Sequence, residues 1–213
     1  MLPVEIQKIY ETIKQEIIDG RYDSGQALPE NPLAEKYGVK RTRVRQILRE
    51  LESDGLVEKI AGKGTFVKPI TPEYLQELFE MREALESMAC RLAARRRKDE
   101  DLDRLIQSFA DFEKNAENND LARKAELGEI LHQFIRQNCR NKLIISALEL
   151  IKIQNTRVWR GAFAISGRMN KAFEGHKTIL KALKDRDEEA AEQIMKKHIA
   201  EAFREYLEAI MEN

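Results

Sequence analysis

One short stretch of this chain is written for strands, and everything around it is written for helices. LVEKIAGKGTFVKP, from residue 56 to 69, sets two β-rich runs on either side of a Gly62-Lys63-Gly64 turn and reads as a hairpin. Before it, VEIQKIYETIKQEIID places Ile6, Ile9, Tyr10, Ile13 and Ile17 on one helical face, and Gly20 ends that helix. RYDSGQALPEN supplies turn chemistry through Asp23, Ser24, Gly25 and Pro29. A short helix is expected from about Pro32 to Tyr37, closed by Gly38, and another from about Arg41 to Ser53, closed by Asp54-Gly55.

Pro69 and Thr71-Pro72 punctuate the chain after the hairpin, which places a domain boundary there: residues 1–70 in one domain and 71–213 in the other. Beyond Pro72 the strand signals vanish. Amphipathic helical segments follow, broken near Asp99, Asn118–Asp120, Asn138–Asn141, Ser166–Gly167 and Asp185–Asp187. About six helices are expected, an all-α bundle. Asp187 followed by Glu188 and Glu189 is a good helix start, both as a cap and against the helix dipole. The fold class is therefore mainly α, with one small hairpin. A chain of 213 residues, 42% hydrophobic and 35% charged, can bury two modest cores.

No apolar run approaches the ~20 residues that a membrane span needs, and MLPVEIQKIY lacks a signal-peptide core. A cytoplasmic protein with no membrane partner is expected. Cys90 and Cys139 are far apart and in no metal-spaced pair, so they read as buried packing thiols in a reducing compartment.

Lys plus Arg equal Asp plus Glu at 37 each, so net charge does not advertise a nucleic-acid binder. Local charge does. Lys36, Lys40, Arg41, Arg43, Arg45 and Arg49 crowd into residues 36–49 with no acid among them. The segment Pro32–Ser53 has the layout of a helix-turn-helix, whose second helix enters the major groove and meets base edges with its first residues. Those residues are Lys40, Arg41, Thr42, Arg43 and Arg45. Arginine can fork onto guanine O6 and N7, and threonine can bond a base or a phosphate. Val44, Ile47, Leu48 and Leu51 recur at helical spacing and would pack against Leu33 and Ala34, leaving the cationic side free. A run of one sign without interleaved acids is unusual for a merely solvated helix face. The hairpin is then a wing: Lys63 reaches a phosphate or the minor groove, while its glycines let the backbone approach.

LPENPLAEKYGVKRTRVRQILRELESDGLVEKIAGKGTFV resembles the GntR winged-helix pattern, in which LAE…GVSRTPVREAL…L…GL precedes a GxGTFV wing. The resemblance implies that Arg41, Thr42 and Arg45 stand at recognition positions and that Gly62, Lys63, Gly64 and Thr65 form the wing. Three positions depart from the pattern. Lys40 replaces a Ser or Thr and Arg43 a Pro, both adding charge; Asn31 replaces a common arginine. An altered operator sequence is expected.

The chain has three histidines, His132, His176 and His198, each in a different expected helix of the second domain. A lone histidine on a helix is more often a satisfied core or surface residue than a ligand. Three confined to one bundle raise the metal reading, since imidazoles from facing helices can converge in its interior.

LHQFIRQNCRN, EGHKTILKALKDRDEEAA and MKKHIAEA resemble the FHxxI…N, EHxxIlxAi..gD..aA and m..Hi segments of the FadR-type ligand domain called FCD, over residues 74 to the end. In metal-containing members, histidines at these three positions and an aspartate four residues before the first bind a divalent ion. The histidines match here, but the aspartate position is Gly128. Glu129, three residues before His132, shares roughly its face and is a candidate substitute; otherwise Glu129 is exposed and water keeps the position. The donor set suits Zn²⁺, Ni²⁺, Mn²⁺ or iron. LFEMREALE resembles the family's l.E.R..lE helix, and the resemblance places Arg82 in the pocket, where it would fork onto an effector carboxylate. Alternatively Arg82 forms an i,i+4 surface pair with Glu86. Trp159 reads as core packing, and Arg157 and Arg160 as surface residues.

The expected protein is a non-enzymatic, homodimeric DNA-binding regulator with a near-palindromic operator. Its helical domain would bind a divalent metal and a small carboxylate effector that changes operator affinity. A pure metal sensor and a metalloenzyme with an appended DNA-binding module are the alternatives.

Overall fold

The structure, a computed structural model, describes residues 3–115, 120–162 and 166–211; the side chains of 159–168 and 209–211 lie outside that description. The expected roles of Trp159 and Arg160 therefore fall outside the described residues, as do most of the residues at the expected break near Asn118. Two compact units emerge: residues 1–74 with 152–161, and residues 75–151 with 162–213.

The first unit contains α1 (Val4–Ile18), α2 (Glu30–Tyr37), α3 (Arg41–Ser53), β1 (Val57–Ile60) and β2 (Gly64–Val67). Ile6, Tyr10, Ile13 and Ile17 of α1 meet Leu33 of α2 and Val44, Ile47, Leu48 and Leu51 of α3 in one core, with Ala34 packed at its edge. Ile47 is fully enclosed, and burial of a side chain its size stabilises by roughly 1.5–3 kcal/mol. Helix α2 starts two residues earlier than expected, at Glu30, which puts Pro32 in the first turn, where its missing N–H would have no intrahelical partner anyway. Gly38 stops α2 in the left-handed region at φ 64°, a conformation that costs glycine nothing, and the chain re-enters a helix three residues later. β1 and β2 pair antiparallel, Val57 opposite Val67 and Ile60 opposite Gly64. Gly62, at φ 74°, lets the three-residue wing turn close. The amide N–H groups of Gly25 and Leu28 donate to the carbonyls of Val67 and Thr65, anchoring the wing to the segment before α2.

Helix α7 (Lys142–Ala162) gives this unit its last piece. Ile153 packs on the winged-helix core. The Gln154 amide donates to the Asp54 carbonyl at 2.6 Å, capping the end of α3. Arg157, expected on the surface, is buried and donates to the Lys68 carbonyl. A guanidinium can leave solvent there because β2 has ended and Lys68 offers a carbonyl.

The second unit comprises most of α4 (Pro72–Arg96), α5 (Asp99–Lys114), α6 (Leu121–Asn138), the first half of α7, α8 (Ser166–Lys184) and α9 (Glu188–Met211). The Asp187 carboxylate accepts from the Ala190 amide at 2.9 Å, the cap its sequence announced. One residue earlier, Arg186 adopts φ 54°. Its guanidinium donates to the Arg95 carbonyl and to Asp99, tying the α8–α9 turn to the junction of α4 and α5. Cys90 and Cys139 are free and buried. Among the described residues no helix is long and apolar enough to cross a membrane.

Candidate DNA interface and metal centre

The recognition helix leaves its cations outward because its apolar residues use the opposite face. Lys40, Arg41, Thr42, Arg43 and Arg45 are all exposed, while Val44, Ile47, Leu48 and Leu51 are buried. An acid nevertheless reaches this surface, from a different helix. Glu30, the first residue of α2, accepts from Arg41 Nη2 at 2.9 Å and from Arg45 Nε at 2.8 Å. Arg45, then Arg41, hold the Glu30 carboxyl below the ordinary carboxylate range, so it stays charged between the two arginines. Arg43 donates to Gln46 at 3.2 Å. Lys63 stands exposed on the wing turn, flanked by Gly64 and followed by the half-buried Thr65.

In the second unit His132 of α6, His176 of α8 and His198 of α9 converge, with one ring nitrogen from each within 4.8 Å of the others. Ring centroids lie 4.6–5.5 Å apart. Two glycines lie against the imidazole rings. A Cβ on Gly128 would come within 2.4 Å of His176 Cε1, and one on Gly175 within 2.9 Å of His198 Nδ1. Burial, then the neighbouring rings of His198 and His132, push His176 well below its ordinary value; burial, then His132, bring His198 down to about 3. Both are neutral at pH 7, the form that ligates a metal. Among the described residues, His176 Nδ1 is buried with no hydrogen-bond partner. A native fold rarely leaves such an atom unsatisfied, and a buried cluster of neutral imidazoles with an orphaned nitrogen fits a divalent ion.

Glu86 of α4 was not among the expected site residues. It lies against His132, its Oε2 at 2.8 Å from Nδ1, and its other oxygen accepts from Arg82 Nε at 2.7 Å. Burial alone would raise the Glu86 carboxyl, but the Arg82 guanidinium and His132 outweigh it and hold the group charged. Arg82 does form the i,i+4 pair with Glu86, yet not on the surface: its side chain is 4% exposed. Among the described residues, Arg82 Nη1 is buried without a hydrogen-bond partner, and its Cζ lies 4.9 Å from the Phe79 ring centre. Glu129, the candidate substitute for the aspartate, is engaged by another side chain. It is half-exposed and accepts from Arg136 Nη2 at 2.9 Å. Seven residues complete almost two whole helical turns, so Glu129 stacks under Arg136. The proximity of Glu86 to His132 had no local sign, being a pairing across 46 residues; only the helical spacing of Arg82 and Glu86 hinted at it.

A winged helix with an exposed cationic recognition helix, followed by an all-helical unit, defines a DNA-binding transcriptional regulator. The chain belongs to the gntR family of bacterial regulatory proteins with an FCD domain: the gntR pattern matches residues 5–67 and the FCD domain residues 77–201. It is 29% identical over 194 residues to the probable D-xylose utilization operon transcriptional repressor of Paenarthrobacter nicotinovorans, covering 91% of this chain and 84% of that protein. It is 25% identical to the galactonate operon transcriptional repressor of Escherichia coli, covering 92% and 94%. The fold is that of E. coli McbR/YncC, with a TM-score of 0.74 at 19% identity over 97% of this chain and 99% of that one. These family relationships mark a regulator and not an enzyme, which removes the metalloenzyme alternative.

Proposed function

We propose that this regulator binds a divalent metal through His132, His176 and His198, and beside it a small carboxylate effector that changes its affinity for DNA. The observation that carries the reading is the convergence of three imidazoles from three helices around an unsatisfied nitrogen. Zn²⁺, Ni²⁺, Mn²⁺ and iron suit this donor set. A bound ion would supply a Lewis-acidic position for an organic acid. Arg82 is the counter-charge on the protein side: its free Nη1 is a donor already stripped of water, positioned through Glu86 against His132. One relative is named for a galactonate operon, and galactonate is a polyhydroxy carboxylate of the class such a site would take.

At the other end, a homodimer acting in the cytoplasm would set two α3 helices about one DNA turn apart on a near-palindromic operator. Arg41, Arg43, Arg45 and Thr42 would read base edges, with Lys40, Lys63, Gly64 and Thr65 on the backbone or minor groove. Effector binding would bias one arrangement of the protein and change operator affinity by roughly 5–150-fold, the range of 1–3 kcal/mol couplings.

The test begins with selection of binding sites from random duplexes by the full-length protein. Anisotropy titrations then follow at fixed salt, with zinc and a panel of sugar acids and hydroxy acids. A zinc-dependent affinity change with at least one acid is expected, lost in Arg82→Met. A response to metal alone identifies a pure metal sensor. Equal zinc binding by wild type and a His132, His176 and His198 triple alanine variant overturns the metal reading.

A further inference from the structure

We infer that Gln154 and Arg157 of α7, far beyond the wing in sequence, are positioning residues for DNA reading: they hold the far ends of the recognition helix and of the wing, so that base contacts are made from one fixed pose. The inference rests only on the DNA-binding activity and needs neither metal nor effector.

The last carbonyls of a helix have no partner inside it. In α3, those of Glu50, Leu51 and Glu52 accept from the amides of Asp54, Leu56 and Gly55, so the turn itself serves them. The Asp54 carbonyl takes its donor from α7 instead, the Gln154 amide at 2.6 Å. The Asp54 carboxylate is engaged by α1, accepting from Lys14 Nζ at 3.1 Å and from the Tyr10 hydroxyl. One residue thus pins the end of α3 to two other helices. The wing is tied to the same place. The Lys68 amide donates to the Leu56 carbonyl at 3.0 Å, and the Lys68 carbonyl accepts from Arg157. Ile153 and Gln154 stand four and three residues before Arg157, on its side of α7, and Ile153 packs on the winged-helix core. All of these contacts lie inside the first unit, which takes residues 152–161 from α7.

Rigidity at that end controls what happens at the other. The base-facing residues open α3 and the grips close it, and its 13 residues rise about 20 Å. A tilt of about 5° about the held end carries the reading end by roughly 1.7 Å. That exceeds the few tenths of an ångström within which a bidentate bond to a base keeps its strength. Phosphate contacts made by long, exposed cations follow such a movement without loss. Gln154 and Arg157 are both buried. Without its donor, the part-buried Asp54 carbonyl is left unsatisfied, which favours poses that expose it to water. Apparent operator affinity then falls with the fraction of time spent in the competent pose. Helix α7 is one helix from Lys142 to Ala162, and its first half belongs to the second unit. The last two fixings of the DNA-reading unit are therefore supplied by a helix that begins outside it.

The experiment uses the full-length protein, an operator selected from random duplexes and a scrambled duplex of equal length, in anisotropy titrations at several salt concentrations. Gln154→Met keeps the volume and removes the donor; Gln154→Glu keeps the shape and sets a second acceptor against the Asp54 carbonyl. Gln154→Met should bind the operator about threefold more weakly or worse. Gln154→Glu and Arg157→Met should each lose about tenfold. Affinity for the scrambled duplex should stay within about twofold, with an unchanged salt slope, because no phosphate contact is lost. Arg157→Lys, which restores a donor for the Lys68 carbonyl, should recover most of the loss. Thermal melts establish that each variant is folded at the assay temperature. Selective loss on the operator is the signature of positioning, since simple destabilisation weakens binding to both duplexes alike. A parallel loss on both duplexes overturns the inference, as does unchanged or tighter operator binding by the Gln154 variants. If the Arg157 variants do not fold, the two Gln154 variants decide alone.

Discussion

Replacing Glu30 with glutamine should make this regulator bind DNA more tightly and less selectively. Glu30 holds Arg41 and Arg45 in two ion pairs at 2.9 and 2.8 Å, on a surface where the arginines are 55% and 50% exposed. Exposed pairs of this kind contribute about 0.2–1 kcal/mol each, so releasing both frees about 0.4–2 kcal/mol. Expressed as affinity, that is roughly a 2- to 30-fold gain on DNA of random sequence, where phosphates compete with Glu30 for the same guanidinium groups. Each cation released onto a phosphate steepens the dependence of log affinity on log salt by about 0.9, so the slope should grow by up to about 1.8. Binding to the selected operator should gain less, because there the arginines are drawn onto base edges with better geometry. Anisotropy titrations of a labelled random duplex and of the operator, at several salt concentrations, measure both quantities. A thermal melt checks that losing a first-turn acid from α2 costs no more than about 0.3–1 kcal/mol. Unchanged or weaker binding to random DNA at every salt concentration would refute the competition argument and leave Glu30 as a brace for the arginines.

Two further outcomes follow from the same geometry. Ile47→Ala empties a fully enclosed position between α1 and α3 and should destabilise the winged-helix unit by about 2–5 kcal/mol in urea titrations, with loss of operator binding at 37 °C. Metal-free protein should lose stability as pH falls below about 6.5. His198 takes up its proton only near pH 3 when folded but near its ordinary 6.5 when unfolded, so the unfolded chain binds more protons throughout that window. His198→Gln should flatten the dependence of the urea midpoint on pH between 7 and 4; an unchanged slope would contradict the assigned neutral state.

Local signals made the fold readable from the chain. The isoleucine face of α1, the Gly38 stop, the uninterrupted cationic start of α3 and the Gly-Lys-Gly turn each act within a dozen residues, and each element formed where its signal lies. The Asp187 cap did the same for α9. What escaped were relations between distant segments. No periodicity shows that Glu30 closes over Arg41 and Arg45, since the partners lie on two helices joined by a turn. Arg157 read as a surface cation because nothing near it announces the Lys68 carbonyl. Glu129 stands three residues from His132, and that spacing gives no sign that its carboxylate pairs with Arg136. Gly128 reads as a lost ligand in the sequence, and no local signal shows that the His176 ring lies against it.

The bend before α9 has a further consequence for how this chain can drift. The FCD pattern carries a glycine immediately before the aspartate of this turn, and this chain carries Arg186 there at φ 54°. Left-handed backbone costs a residue with a Cβ roughly 1–2 kcal/mol, which glycine avoids. Arg186 offsets it with bonds from its guanidinium to the Arg95 carbonyl and Asp99. Glycine and arginine are thus two near-equivalent solutions to one bend, one relaxed and untethered, the other strained and clasped. Asp99 answers to Arg97 alone under the first solution and to Arg97 and Arg186 together under the second, so a change at 186 sets how tightly the α4–α5 junction is held to an acid at 99.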